Sequence, residues 1–240
     1  MADMSEPLSD SWNRVAGQWI EWATTPGHDS YWQFHRQRFL ELVPDPGELT
    51  LDVGCGEGRV GRDLTEAGHR VVGIDASPTM VRACVHHPTG HAAAVGDAMR
   101  LPVRAGVADL VVAFMSFHDV DDLTATVGEA ARVLRVGGRL HIAIVHPINS
   151  AGACATGADP SPFVIDDAYT ESRRYSDEVE RDGLTMEFCS LHRPLAAYAS
   201  ELAGAGFVIE TLDEVTDPDP TDKWSRIPLF LHLIARLDRR

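Results

Sequence analysis

From position 49 onward, short apolar runs alternate with longer stretches in which apolar residues recur every three or four positions. These are the periods of buried strands and amphipathic helices. The runs predict strands at 49–53, 70–74, 91–95, 108–114 and 139–145, with helices at 60–67, 78–86 and 121–134 between them. Strands this apolar are covered on both faces, so the pattern implies an α/β fold with a mostly parallel sheet. After His146-Pro147 the rhythm stops. Residues 148–183 are rich in Gly, Asp and Ser, and a structureless stretch this long in a compact domain points to a functional cap. The rhythm then resumes with a strand at 184–191, a helix at 195–203, Gly206 as a stop, and strands at 207–215 and 229–237. Only a Pro/Asp loop separates the last two strands, which should pair as an antiparallel hairpin at the sheet edge.

The first 47 residues follow a different pattern. Four of the five tryptophans, Trp12, Trp19, Trp22 and Trp32, lie here with Tyr31, Phe34 and Phe39. Helices are expected at 10–23 and 29–43, broken at Thr25-Pro26-Gly27 and closed by Pro44-Asp45-Pro46-Gly47. Such a segment either plasters onto the main body or forms an aromatic lid over a ligand. The expected organisation is a lid at 1–47 and a main domain at 48–240, with a substrate cap at 148–192.

Composition narrows the function classes. The chain has 240 residues with 21 Lys+Arg against 36 Asp+Glu, a formal charge of −15. That balance argues against nucleic acid and against an anionic membrane surface as partners. No apolar run approaches the ~20 residues of a membrane span, and residues 1–10 carry three acids and no leader-like apolar core. Cys55, Cys84, Cys154 and Cys189 show no C-x-x-C spacing, which fits free thiols in a reducing cytoplasm.

The strongest chemical signal is Leu51-Asp52-Val53-Gly54-Cys55-Gly56-Glu57-Gly58-Arg59, between the first strand and the first helix. Alternating glycines allow a tight turn and let a ligand approach the main chain. About twenty residues on, Asp75 ends the second strand where a carboxylate can accept from both ribose hydroxyls. Asp97, in Gly96-Asp97-Ala98-Met99 after the third strand, can reach an exocyclic adenine amine. The run Gly56-Glu57-Gly58-Arg59-Val60-Gly61 also satisfies G-x-G-x-x-G, so a nicotinamide dinucleotide must be weighed. Against it stand the negative Glu57 in the loop and the missing Tyr-x-x-x-Lys, since Lys223, the one lysine, has Asp219 four residues before it.

Taken in order, these segments resemble the class I S-adenosylmethionine-dependent methyltransferases of the small-molecule, UbiE-like type. Residues 51–58 are similar to their first motif, Val72-Gly73-Ile74-Asp75-Ala76-Ser77-Pro78-Thr79-Met80 to the second, and residues 96–102 to the third. Residues 109–120 and 133–140 are similar to the fourth strand with its loop and to the turn into the fifth. The resemblance covers roughly 49–146. It implies a Rossmann-like, seven-stranded sheet, and S-adenosylmethionine as cofactor with S-adenosylhomocysteine as product. It places Asp52, Gly54, Cys55, Gly56 and Gly58 at the methionine portion, and Asp75 with Ala76, Ser77 and Met80 around the ribose. Asp97, Ala98 and Met99 would flank the adenine, and Ser116 and Phe117 the path to the sulfonium.

The acceptor is expected to be a small, partly apolar metabolite, with O, N and C acceptors all open. His118 and His146 follow the carboxyl ends of strands, where open α/β sheets place ligands, and are the candidate catalytic histidines. His118 also reads as a loop histidine bonded to Asp119 or Asp121. Weaker substrate candidates are His28, Tyr31 and Arg36 in the aromatic segment, and Tyr169, Arg174, Tyr175 and His192 around the insertion. His69, His86, His87 and His91 are expected to be solvated. Asp119, Asp121 and Asp122 raise a magnesium site, but Asp121-Asp122 equally reads as a helix start, and no metal is expected. Two rivals remain: a protein that binds S-adenosylmethionine for a cyclisation or rearrangement, and a non-catalytic partner of another enzyme. A monomer or homodimer is expected.

Overall fold

The alternating segments assemble into one seven-stranded sheet in the order β10-β11-β5-β4-β1-β2-β3. In the computed structural model, which describes residues 6–155, 161–165 and 168–239, its strands are β1 (Thr50–Val53), β2 (Val71–Asp75), β3 (Ala92–Val95), β4 (Ala108–Phe114), β5 (Leu134–Val145), β10 (Phe207–Val215) and β11 (Phe230–Leu237). The first five pair in parallel, and β11 runs antiparallel to both β5 and β10. From β1 the chain winds outward to β2 and β3, then returns to place β4 on the other side of β1. The crevice above β1 and β4 is therefore the topological switch point, where open α/β sheets bind ligands.

Helices α3 (Arg59–Glu66), α4 (Pro78–His86), α5 (Leu123–Val133) and α6 (Leu195–Gly204) connect the strands. Ser77 caps α4, accepting from the Met80 amide, with Pro78 in the first turn. Asp122 caps α5, accepting from the Ala125 amide at 2.9 Å. That cap is why the helix expected from 121 begins at Leu123. One sheet face buries Val111, Ala113, Leu140 and Ile142 among residues of α5 and α6, and the other buries Leu110, Val112 and Phe114 against α3 and the aromatic segment.

The aromatic segment departs from expectation. Helix α1 (Leu8–Thr24) forms, but the second helix divides into one wide turn, Tyr31–His35, and a short α2, Arg36–Glu41. Phe39 is fully buried, with its ring stacked 3.9 Å from that of His141 on β5. His141 and His232 face the same side of adjacent antiparallel strands, and His35 Nδ1 lies 2.8 Å from His232 Nε2. All three rings are fully buried, and burial holds His141 down to about 3 and His232 to about 4, with His35 also well below the usual range. They are neutral at neutral pH.

The insertion is more ordered than its composition suggested. Strands β6 (Gly152–Cys154) and β7 (Phe163–Ile165) form one ribbon, and β8 (Arg173–Arg181) pairs with β9 (Leu184–His192) as another. Asp182 and Gly183 join β8 to β9 with φ of +52° and +80°, the two left-handed residues that a tight hairpin turn needs. The strand expected at 184–191 therefore exists, but it leaves the main sheet and pairs with β8. Helix α1 packs on this hairpin through Val15, Trp22 and Met186, and the Leu191 amide donates to His118 O at 2.8 Å. Residues 1–5, half of the stretch read above as lacking a leader, and 156–160, 166 and 167 of the insertion lie outside the described residues. Among the described residues no helix is long and apolar enough to cross a membrane.

Candidate active site

A cavity of about 470 Å³ opens at the switch point. Its floor is the glycine loop that follows β1. Gly54 adopts φ +75°, and a Cβ there would stand 2.3 Å from the Ser116 Cβ. Glycine is thus required both by conformation and by the close approach of the loop after β4. Ser116 Oγ donates to Val53 O at 2.7 Å, locking the two loops together.

Asp52 lies beneath this floor, 1% exposed, and neither carboxylate oxygen has a hydrogen-bond partner. Burial pushes its pKa up to about 7, with Cys84, Asp75 and Glu57 pushing the same way against His91. An unpaired buried carboxylate is costly, so this one is poised for a cation. Asp75 differs. One oxygen accepts from the Gly56 amide and the other from the Ser77 amide, each at 2.8 Å. These bonds fix its orientation and leave each oxygen able to accept again. Burial still raises its pKa. Asp97 accepts from the Met99 amide at 2.8 Å and is exposed at the far end of the cavity.

These residues fit S-adenosylmethionine. Asp52 would supply the counter-charge for its cationic methionine end, Asp75 the acceptors for two ribose hydroxyls, and Asp97 an acceptor beside the base. They do not fit a dinucleotide. The Glu57 carboxylate accepts from the Arg59 amide at 2.8 Å and pairs with Arg62 at 3.2 Å, so it occupies the helix mouth that a pyrophosphate would need.

At the other end the cavity meets a polar cluster. Asp119 accepts from Ser190 Oγ at 2.6 Å and stands 3.5 Å from His118 Nε2, while His118 Nδ1 has no partner. Burial raises Asp119 well above the usual carboxylate range. Burial, reinforced by Arg193, lowers His118 to about 3. The ring is therefore neutral near pH 7. Trp19, Trp22 and Phe188 close the roof, their rings meeting edge to face at 6.1 Å in the Trp19–Phe188 and Trp22–Phe188 pairs. Arg59 stacks over Trp19 and ion-pairs with Asp29, which fastens the roof to the start of α3.

The residues expected from the sequence divide cleanly. Asp52, Gly54, Cys55, Gly56, Asp75, Ala76, Ser77, Met80, Asp97, Ala98, Met99 and Ser116 line the cavity, as do His118, His28 and Tyr175. Gly58 sits behind the loop against Cys84, and Phe117 is buried in the main core. His146 lies outside because both ring nitrogens are engaged, Nε2 with Glu214 at 3.0 Å and Nδ1 with the Ile148 amide at 3.1 Å. His192 is held by Ser150 at 2.7 Å and Tyr169 O at 2.9 Å. Tyr31 bonds Asp63 at 2.5 Å, Arg36 bonds the same carboxylate at 2.8 Å, and the Tyr169 hydroxyl accepts from the Leu195 amide. Arg174 pairs with Asp121.

His69 and His91, expected to be solvated, are not. His69 is buried against Thr50 at 2.9 Å, and His91 lies half-buried 3.6 Å from Cys84. Asp119, Asp121 and Asp122 turn to separate partners, and among the described residues no group of three His, Cys, Asp or Glu is placed to hold a metal. Sequence reasoning missed Arg59, Phe188 and Ser190. The inward alternation of Met186, Phe188 and Ser190 on β9 was the available signal.

The sheet order, the glycine loop and the two strand-end carboxylates together give a fold similar to that of the class I S-adenosylmethionine-dependent methyltransferases. Residues 51–142 match the family model described as a methyltransferase domain. A demethylmenaquinone methyltransferase from Beutenbergia cavernae is 36% identical over 117 residues, 49% of this chain and 48% of that protein. A nocamycin O-methyltransferase from Saccharothrix syringae is 38% identical over 113 residues, 43% of this chain and 40% of that protein. The chain thus spans about half the length of the relatives it matches. An S-adenosylmethionine-dependent methyltransferase structure from Mesorhizobium loti superposes with a TM-score of 0.69 at 22% identity, covering 87% of this chain and 98% of that one.

Proposed function

We propose that the protein transfers a methyl group from S-adenosylmethionine to a small-molecule metabolite, with oxygen the acceptor atom its polar cluster suits best. One observation carries this reading: a single cavity joins the unpaired Asp52 and doubly anchored Asp75 to the His118–Asp119–Ser190 cluster. The cofactor supplies a methyl carbon already activated by positive sulfur. The chain has to hold that end against Asp52, align an acceptor and exclude water, which is the role of the tryptophan roof.

A hydroxyl acceptor releases a proton. Neutral His118 offers a lone pair, and Asp119, 3.5 Å from its Nε2 and itself held by Ser190, is its positioning residue. The four cysteines are all free, which supports a reducing, cytoplasmic setting. Monomer or homodimer is the proposed state.

Calorimetric and thermal-shift titration tests the cofactor. S-adenosylmethionine and S-adenosylhomocysteine at a hundred times their Kd should each stabilise the protein by about 2.7 kcal/mol, and NAD(H) should not. Stabilisation by NAD(H) alone overturns the reading. So does binding of S-adenosylmethionine with no S-adenosylhomocysteine formed across a panel of phenols, alcohols and amines.

His118→Gln should leave S-adenosylhomocysteine affinity unchanged and slow single-turnover methylation of a hydroxyl acceptor by roughly 10²-fold or more. Because His118 is held near 3, the wild-type rate should show no inflection in the ordinary histidine range. An unaltered rate in the variant removes His118 from the chemistry.

A further inference from the structure

Beyond the His118–Asp119–Ser190 cluster the cavity wall is the inner face of the β8–β9 ribbon. Register pairs Tyr175 with Ser190, Asp177 with Phe188 and Val179 with Met186, and Tyr175, Asp177, Val179, Phe188 and Ser190 all line the cavity. Asp177 therefore places a carboxylate in an otherwise uncharged and largely aromatic row. Cross-strand partners stand about 5 Å apart at Cβ, so it lies beside Phe188. The Phe188 ring in turn meets Trp12 edge to face at 6.3 Å, and Trp19 and Trp22 at 6.1 Å.

The other charged groups on this wall are matched. Asp121 pairs with Arg174, and Asp119 accepts from Ser190 Oγ at 2.6 Å. Two arginines line the cavity among the described residues. Arg59 is committed to Asp29, and Arg181 donates to Gly27 O at 2.6 Å and to His28 O at 3.1 Å. Asp177, by contrast, meets no basic side chain and no hydrogen-bond donor among the described residues. It is exposed, while Tyr175 and Val179 to either side on the same face are half-buried.

We propose that Asp177 and the aromatic roof bind a protonated amine of the acceptor, which makes the substrate class a small hydroxylated amine. This rests on the methyl-transfer reading above and names what the acceptor half of the cavity selects. A carboxylate without a protein partner attracts a cation at contact range, and the neighbouring rings add cation–π attraction. A carboxylate or phosphate on the acceptor finds no uncommitted cation on this wall and is repelled by Asp177. A strand rises about 3.3 Å per residue, so the Asp177 row lies about 7 Å along the ribbon from the Ser190 row. The hydroxyl at His118 and the amine at Asp177 thus occupy opposite ends of a short apolar scaffold that rests against the roof.

The test uses three phenols of similar size and different charge: cationic tyramine, neutral 4-propylphenol and anionic 3-(4-hydroxyphenyl)propionate. Each is titrated calorimetrically at neutral pH into the full chain saturated with S-adenosylhomocysteine. Tyramine should bind about tenfold or more tighter than 4-propylphenol, and the propionate about tenfold or more weaker. Asp177→Asn keeps the side-chain shape and should bring tyramine within about threefold of 4-propylphenol, whose own affinity stays unchanged. Glu178→Gln, on the outer face of the same strand, removes the same charge and should keep the wild-type order. Neutral or anionic phenol binding wild type as tightly as tyramine overturns the proposal, and so does tyramine that fails to bind at millimolar concentration. An equal loss of selectivity in both variants overturns Asp177 as the site. Formation of S-adenosylhomocysteine from S-adenosylmethionine with the same phenols is measured separately. Transfer without charge preference overturns the amine site alone, and charge-selective binding without transfer overturns the methyl-transfer reading alone.

Discussion

Asp75→Ala is expected to weaken S-adenosylhomocysteine binding by roughly 10²-fold or more, with little loss of fold stability. The carboxylate accepts from the Gly56 and Ser77 amides and faces the cavity, so its remaining lone pairs are free for a ribose. Hydrogen bonds to a charged acceptor contribute about 1.5–3 kcal/mol each, and two vanish together. Stability should change little because the same substitution removes a desolvated charge whose burial raises its pKa. Calorimetric titration of both proteins decides it. An affinity within about threefold of wild type would remove Asp75 from the ribose site.

The second large effect concerns acid. His35, His141 and His232 are buried neutral, with folded pKa values depressed below that of the unfolded chain. Above the unfolded value of 6.5 neither state binds these protons. As pH falls below it the unfolded chain is protonated first, so stability is lost down to the folded values near 3 and 4. For His141 alone the loss by pH 4 is about 3 kcal/mol. Asp52, Asp75 and Asp119, whose folded values are raised, act in the opposite sense and gain stability on acidification.

The prediction is therefore a difference between two proteins in which the carboxylates cancel. The Tm of His141→Leu relative to wild type should rise by roughly 6–12 °C between pH 7.5 and pH 4. A gap independent of pH would show that the ring is already charged, or equally solvated, in the folded state.

How much of this was legible in the sequence depends on what kind of physics placed each part. The sheet and the cofactor half were readable because their determinants are local. Glycines that tolerate left-handed φ, a carboxylate at a strand end, and a Ser-Pro helix cap each act within a few residues. The acceptor half was not, because it is made by contacts between distant segments. Trp12 Nε1 meets Cys189 O across 177 positions, and Ser190 reaches Asp119 across 71. No spacing rule announces such pairs. The strand at 184–191 was visible from its pattern, yet its partner was not. Polar β8 lacked an apolar alternation and was masked by its acidic composition.

His146 and His118 show the same limit from another side. Both follow sheet strands, but Glu214 from β10, two strands along the sheet, engages the first, while burial strips the second of its charge. Residue type and strand position were equal for the two; the environment separated them.

The roof has a bearing on how such a protein diverges. Asp75, Asp52 and the glycine loop belong to the sheet, whereas Trp19, Trp22, Phe188 and Ser190 belong to a helix before it and a ribbon inserted after β5. The ribbon is closed by its own Asp182-Gly183 turn and, among the described residues, forms a sheet separate from the main one. Neither appendage supplies a strand to the main sheet, so substitutions there leave its strand pairing intact. On the proposed function, the architecture separates a donor site built on the sheet from a vestibule built on appendages, so that acceptor preference can change while the donor site is kept.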